Sequence, residues 1–370
     1  MDDARKPDTN IDNDTPALSP ELRLSIVVPA RNEAASLAPC LQSLVAQSEP
    51  GFALGAQWEL IVIDDESSDA TRQIAESFAS THPGIEVLAA PPLDLSDRGG
   101  FTGKTNACWF GAQQARGASL LFTDADTIHQ PGNLSRALHE EDKYGASLLS
   151  YSPRQIVTGF WQRAVMPLVF SELASVYPPK QISSPESPLA AANGQFLMIE
   201  RDAYFAVGGH RTVGRDILED VALARAIKRA KYRIRFRYAP DALATRMYKT
   251  LPEMIEGWTK NLALLFPNPL LLASWRVLDL LLFFGLPVIA FAIATAPNRP
   301  YWQTAVVLLI WVRTLFRFYG RVARSNFPAM DVALSILGIP FFVWLLVRSS
   351  LHHQVQKSVA WKGRSYKTGP

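Results

Sequence analysis

Four short apolar runs constrain this chain more than any other feature. Leu24–Val28, Trp58–Ile63, Ile85–Ala89 and Leu120–Thr123 each read as a buried strand. Between them lie segments of helical character: Ala35–Ala46, one starting near Ala70, and Thr105–Ala115. Ser68 or Asp69 is placed to cap the second of these. Strands alternating with helices predict an α/β chain with a mostly parallel, doubly wound sheet. No Gly-x-Gly-x-x-Gly follows the first strand, so a dinucleotide site of the Rossmann kind is not supported.

The run Leu120–Asp126, LLFTDAD, ends in two carboxylates. Residues i and i+2 of a strand share a face, so Asp124 and Asp126 are expected to project together from the strand's carboxyl end. Open α/β sheets bind ligands at that edge. Paired hard oxygen ligands acting with substrate phosphates suit Mg²⁺ or Mn²⁺. An Asp-x-Asp alone is more often a solvated turn; its company gives it weight. Pro29-Ala30-Arg31-Asn32-Glu33 follows the first strand, Asp64-Asp65 the second, and Glu219-Asp220 comes after Gly208-Gly209.

Beyond residue 145 the alternation weakens. Phe160–Tyr177 is aromatic-rich; a helix lying on a membrane or lining an acceptor groove and an ordinary core helix are equally good readings. Asn193–Ile199 reads as a strand, Asp202–Val207 as a short helix closed by Gly208-Gly209, and Asp220–Ala230 as a helix with carboxylates at its positive end. Three apolar stretches follow: Leu280–Ala296, Thr304–Val312 and Val332–Val347. The first, with its flanks, reaches about 20 residues and can just cross a bilayer. Aromatic and arginine flanks around all three favour membrane association over buried soluble helices.

Length and charge bound the rest. The 370 residues suffice for one large α/β domain and an appendage, and a net charge of +3 does not point to nucleic acid. Cys40 and Cys108 offer neither a disulfide framework nor a metal-binding pair, and Cys108 reads as a small core residue in a helix. Residues 1–20 lack the signature of a signal peptide and read as a disordered tail. His129 and His210 have no ligand partners at useful spacing and read as structural.

Taken together, VVPARNEA at 27–34, VIDDESSD at 62–69, GKTNA at 103–107, TDADT at 123–127, NGQFLMI at 193–199 and LEDVALA at 218–224 resemble family 2 of the inverting glycosyltransferases. The resemblance covers about residues 24–265 and implies the GT-A fold. The trailing apolar segments and WKGRSY at 361–366 resemble its lipid-acceptor branch, which includes ceramide glucosyltransferases and hopanoid- or carotenoid-associated transferases. The implied division is a tail at 1–20, a glycosyltransferase domain at 21–265, and membrane-associated helices with a basic tail at 266–370. One motif departs. Where many members carry Gln-x-x-Arg-Trp, this chain reads Glu256-Gly257-Trp258-Thr259-Lys260-Asn261, which disfavours processive synthesis and suits transfer of a single sugar.

The resemblance implies roles. A UDP-sugar is the donor, and Asp126 assisted by Asp124 holds Mg²⁺ or Mn²⁺ against its diphosphate. Asp64 or Asp65 accepts from the uracil N–H. Glu33 and the Pro29–Ala30 backbone contact ribose and base, and Lys104 lies near base and diphosphate. Asp220 is the general base toward a hydroxyl or carboxyl group of a membrane lipid acceptor. Inversion needs one such base and no enzyme nucleophile. A second reading is transfer to polyprenyl phosphate, and one of another class is a non-catalytic membrane scaffold, which the joint presence of Asp124, Asp126 and Asp220 disfavours.

The catalytic domain is expected to face the cytoplasm. Arg313, Arg317, Arg321 and Arg324 lie between the second and third stretches, and Arg348, Lys357, Lys362, Arg364 and Lys367 follow the third. Short basic segments favour the cytoplasmic side, so an even number of crossings is expected. The third stretch, interrupted by Gly338 and Pro340, is then re-entrant or interfacial.

Overall fold

A computed structural model describes residues 22–93, 100–297, 301–356, 358–361 and 364–367. The tail expected to be disordered lies outside the described residues. The first half runs β1 (Leu24–Ala30), α1 (Leu37–Val45), β2 (Trp58–Asp64), α2 (Thr71–Thr81), β3 (Ile85–Ala89), α3 (Gly103–Gln114), β4 (Ser119–Phe122), β5 (Thr127–His129), α4 (Asn133–Tyr144), β6 (Leu148–Ser152) and β7 (Arg154–Gln155). It continues with α5 (Phe160–Val176), α6 (Pro179–Ser183), β8 (Leu197–Glu200), α7 (Arg201–Ala206), α8 (Gly209–Thr212), α9 (Glu219–Arg229), β9 (Ile234–Tyr238), β10 (Leu243–Thr245) and α10 (Leu251–Leu265). The last part holds α11 (Pro269–Thr295), α12 (Tyr301–Val322), α13 (Ala329–Leu351) and a hairpin of β11 (Ser358–Trp361) and β12 (Arg364–Lys367).

Seven strands form the main sheet in the order β3-β2-β1-β4-β8-β6-β9. β3, β2, β1 and β4 run parallel, and β8 enters antiparallel between β4 and β6. The pleat explains the double winding. Leu24, Ile26 and Val28 point to one face, against Leu37, Leu41 and Leu44 of α1. Val27, Ile61 and Ile63 point to the other, against Ala107 and Ala112 of α3. Strands buried on both faces read as unbroken apolar runs rather than alternating ones, which is why β1 and β2 are plain in the sequence. A small sheet, β5-β10-β7, lies beside the main one.

A third core joins α5, α10 and α13, with residues of α11 and α12 added to it. It resolves the two readings of 160–177. Ala164, Val165, Leu168 and Val169 are fully buried, so α5 is a packed helix, though Phe160 and Trp161 remain exposed. The third apolar stretch also differs from expectation: α13 runs unbroken through Gly338 and Pro340. Gly338 is no interruption. A Cβ there would overlap the backbone of Ala164, so the glycine lets α5 and α13 touch.

Candidate active site

The carboxyl ends of β1, β2 and β4 and the first turn of α9 open on a cleft of about 510 Å³. Pro29, Ala30, Glu33, Asp65, Lys104, Asp124, Asp126 and Asp220 all line it. Asp64 does not. It is the last residue of β2; Asp65, one residue on and so on the other side of the pleat, is the member of the pair that lines the cleft.

The motif at 62–69 mainly braces the motif at 27–34. Asn32 takes a left-handed φ of 52°, which bends the chain after β1. Its Oδ1 accepts from the Ser68 N–H at 2.9 Å, and its own N–H donates to Ser67 Oγ at 3.1 Å. The Glu33 N–H donates to Thr71 Oγ1 at 2.8 Å and the Ala34 N–H to Asp69 Oδ2 at 3.1 Å. Asp69 also accepts from the Thr71 N–H at 3.0 Å, but the N-cap of α2 is Ala70, without a side-chain cap bond, where Ser68 or Asp69 was expected.

The Asp124-Ala125-Asp126 segment is a turn, not the end of a strand. β4 stops at Phe122, and the Thr127 N–H closes back on the Asp124 carbonyl at 3.1 Å. Both carboxylates reach the cleft through this turn rather than through a shared strand face.

Lys104 joins two motifs. It sits in the first turn of α3, behind a capping box made by Thr102 and Thr105. Its Nζ lies 2.8 Å from Asp124 Oδ1 and 2.8 Å from Glu219 Oε1. Burial would raise the Glu219 carboxyl, but the Lys104 ammonium, together with the Lys260 charge, holds the group below its ordinary range. Asp220 stands differently. Burial, then the neighbouring Glu219 charge, push its carboxyl up to about 6. Its Oδ2 accepts from the Gly194 N–H at 2.9 Å. A Cβ on Gly194 would come within 2.9 Å of Lys104 Nζ and 3.6 Å of Asp220 Oδ2, so a side chain here would press on the lysine ammonium. Asn193, Gly194 and Gln195 thus serve the site from the turn before β8, where a strand was expected.

The opposite wall comes from residues 246–261, which sequence reasoning left without roles. Lys249 reaches across the cleft to Ser36 Oγ at 3.1 Å and Glu33 Oε2 at 3.9 Å. From α10, Glu256, Lys260 and Asn261 line the cleft, while Trp258 is buried in the core behind. The only signal for this wall was the departure at 256–261. His129 and His210 are structural: burial holds them down to about 3 and about 4, and they bond Thr123 and Asn133 or Tyr204.

No group of three or more His, Cys, Asp or Glu that could hold a metal occurs among the described residues. Asp124 and Asp126 on one cleft-lining turn are a two-carboxylate donor set. That suits a hard cation that takes its other ligands from phosphate and water.

Residues 25–208 match the family described as Glycosyl transferase family 2. The chain carries a family 2 glycosyltransferase domain. The glycosyltransferase is 26% identical to 4,4'-diaponeurosporenoate glycosyltransferase of Staphylococcus haemolyticus over 361 residues, covering 93% of this chain and 88% of that one. It is 25% identical to the protein of the same name from Staphylococcus aureus over 352 residues, with 93% and 88% covered. Among solved structures it is similar to mannosyltransferase PcManGT from Pyrobaculum calidifontis in complex with GDP-Man and Mn²⁺, at 17% identity and TM-score 0.48, covering 93% of this chain and 90% of that one. Staphylococcus aureus TarS 1-349 in complex with UDP-GlcNAc matches at 15% identity and TM-score 0.42, covering 90% and 87%.

Two helices of the glycosyltransferase are long and apolar enough to cross a membrane, Pro269–Thr295 and Ala329–Val355. They differ in setting: 11% of the apolar window of the first is buried, against 39% of the second. α12 lacks that composition among the described residues, and its exposed face still carries Leu309, Val312 and Phe316.

Proposed function

We propose that this glycosyltransferase moves a single sugar from a UDP-sugar to a hydroxyl or carboxyl group of a membrane lipid, with inversion and with Mg²⁺ or Mn²⁺. The observation that carries the reading is the meeting of Asp124, Asp126, Lys104, Glu219 and Asp220 in one cleft whose far wall, α10, packs on the apolar helix α13. A sugar nucleotide reacts by losing an anionic diphosphate, and it needs positive charge where that anion departs. Asp124 and Asp126 would hold the cation, which supplies Lewis-acid stabilisation of the leaving group. Lys104 adds a cationic group beside them, and Lys260 another from the opposite wall. Pro29, Ala30, Glu33 and Asp65 would take base and ribose. Asp220, raised toward neutrality, is suited to accept a hydroxyl proton as that oxygen attacks the anomeric carbon. Inversion asks for this one base and for no carboxylate as nucleophile. The relatives' name gives them diaponeurosporenoate as acceptor, which supports a lipid carboxylate among the candidates.

The test is a panel of UDP-sugars incubated with the membrane-bound protein and total lipid extract, followed by mass spectrometry. A lipid that gains one hexose in Mn²⁺ and none in EDTA is expected. Product only on polyprenyl phosphate, or polymer, would replace this reading.

For topology, we infer that the catalytic domain is cytoplasmic, that α11 and α12 form a membrane hairpin, and that α13 lies at the interface. The hairpin is supported by Trp311 Nε1 donating to the Phe283 carbonyl at 3.0 Å and by Phe318 meeting the Phe283 ring at 5.1 Å. Arg321 near the end of α12 returns to Asp279 in the first half of α11, at 3.4 Å. The burial of α13 against α5 and α10 supports its interfacial placement. Ser365→Cys in intact cells is the check, since both native cysteines are buried. Labelling by an impermeant reagent would place the tail outside and defeat the arrangement.

A further inference from the structure

We propose that Lys104 is a resident counter-ion of Asp124 which a divalent cation must displace, so that cation and nucleotide enter the cleft together rather than in turn. The inference rests on the metal-dependent reading above and deepens it.

The position of Lys104 is not explained by its helix. The amino end of a helix is positive, and a cation in its first turn is disfavoured. What holds the ammonium is the pair of carboxylates at 2.8 Å on either side, one from the Asp124 turn and one from α9. Gly194 closes the site behind it, with an added Cβ only 2.9 Å from Nζ. The other side is open: the Lys104 and Asp124 side chains are 37% and 30% exposed, and both line the cleft. The ammonium is therefore confined by the fold on one side and by charge alone on the other.

Asp124 Oδ1 cannot serve ammonium and metal fully at once. A hard dication binds carboxylate oxygen at about 2.0–2.1 Å, where an ammonium hydrogen-bonded to the same oxygen is a close like charge. A cation arriving alone must break the ion pair and then face the displaced lysine. A diphosphate changes this balance, because its oxygens ligate the cation and also give the lysine a new anionic partner. The lysine is suited to the exchange. Its four-carbon stem is flexible, and Glu219 remains as a tether.

The measurement is Mn²⁺ binding to the full-length protein in detergent, read as loss of the free aqueous Mn²⁺ resonance, with and without UDP. Wild type is expected to bind Mn²⁺ weakly alone and much more tightly with UDP. In Lys104→Met, Mn²⁺ alone should bind about tenfold tighter, while the tightening by UDP shrinks. Lys104→Gln, which keeps hydrogen bonding, should behave the same way and serves if the methionine variant does not fold. Lys104→Arg, which keeps the charge, should stay near wild type. A lysine that merely braces the fold would weaken both affinities on removal. If both neutral variants that fold bind Mn²⁺ alone no tighter than wild type, or if the arginine variant matches them, the proposal is overturned while the metal-dependent reading stands. If wild type with UDP binds no Mn²⁺, both fall.

Discussion

Two of the clusters of charge in this molecule are built on opposite terms. In the cleft, Lys104 and Lys260 face Asp124, Glu219 and the neighbouring Asp220, so carboxylates outnumber cations three to two. Among α5, α11 and α12, Arg276 and Arg321 face Glu172 and Asp279, two against two, at 2.8–3.5 Å. The second cluster is balanced and buried at its centre; the Arg276 and Glu172 side chains are 7% and 10% exposed, with Asp279 and Arg321 at 19% and 29% toward its edge. The first is unbalanced and open to solvent. A balanced set of charges, buried at its centre, fixes how helices meet. An unbalanced, open one is left ready for an incoming cation and an anionic substrate.

Substitutions should separate the two clusters by what they change. The largest effect is expected in the open one. Asp126→Ala should abolish turnover and weaken UDP-sugar binding, and excess EDTA should do the same to wild type; full activity in EDTA would remove the metal from the account. Asp220→Asn should lower the rate on a hydroxyl acceptor about 10²–10⁴-fold with donor binding nearly unchanged. Because Asp220 is raised to about 6, that rate should decline as pH falls through 6, where the carboxylate takes up a proton and can no longer act as base. A flat profile between pH 5 and pH 7 in kcat/KM would count against this base.

The balanced cluster should answer in stability. Arg276→Met leaves Glu172 and Asp279 with only Arg321 and should cost about 3–5 kcal/mol, seen as a lower Tm in detergent, with nucleotide affinity per folded molecule unchanged. Equal stability would mean that the cluster relaxes around the loss. At the small end, Arg72→Ala breaks an exposed i,i+4 pair with Glu76 on α2 and should change stability by about 0.3–0.5 kcal/mol at most.

The same contrast marks what the sequence reveals. The donor side was legible because local rules make it. Leu24–Val28 and Trp58–Ile63 are strands buried on both faces, and each ends in polar residues at a sheet edge. Lys104 and Asp220 stood in motifs, but nothing local says that Glu219 and Asp124 share one ammonium. The far wall was not legible because it is assembled over long distances. Lys249 and its partner Ser36 are 213 positions apart. β5 and β10 have three residues each, too few for a period of two to show. α4 was missed because its buried apolar side is only Leu134, Ala137 and Leu138 on an otherwise polar helix. The Asp124 turn went the other way: the pair of carboxylates was read as one strand face, and a tight turn brought both to the cleft instead.

The chain's last long helix stands nearer to the reacting centre than the two before it. Ile339, Phe342, Leu345 and Leu346 of α13 are wholly buried in the core they share with Val165, Trp258 and Leu262. Ser349 Oγ donates to the Thr259 carbonyl at 2.7 Å and accepts from the Ala263 N–H at 2.9 Å. Arg348 Nε donates to Thr259 Oγ1 at 3.1 Å, beside Lys260 in the cleft wall. A protein shortened after α10 to obtain a soluble enzyme would strip the outer support from that wall and bare an oily flank on α5. Solubility is better sought by redesigning the outward faces of α11 and α12, where Leu281, Phe284, Leu309 and Phe316 project and the cleft wall is untouched.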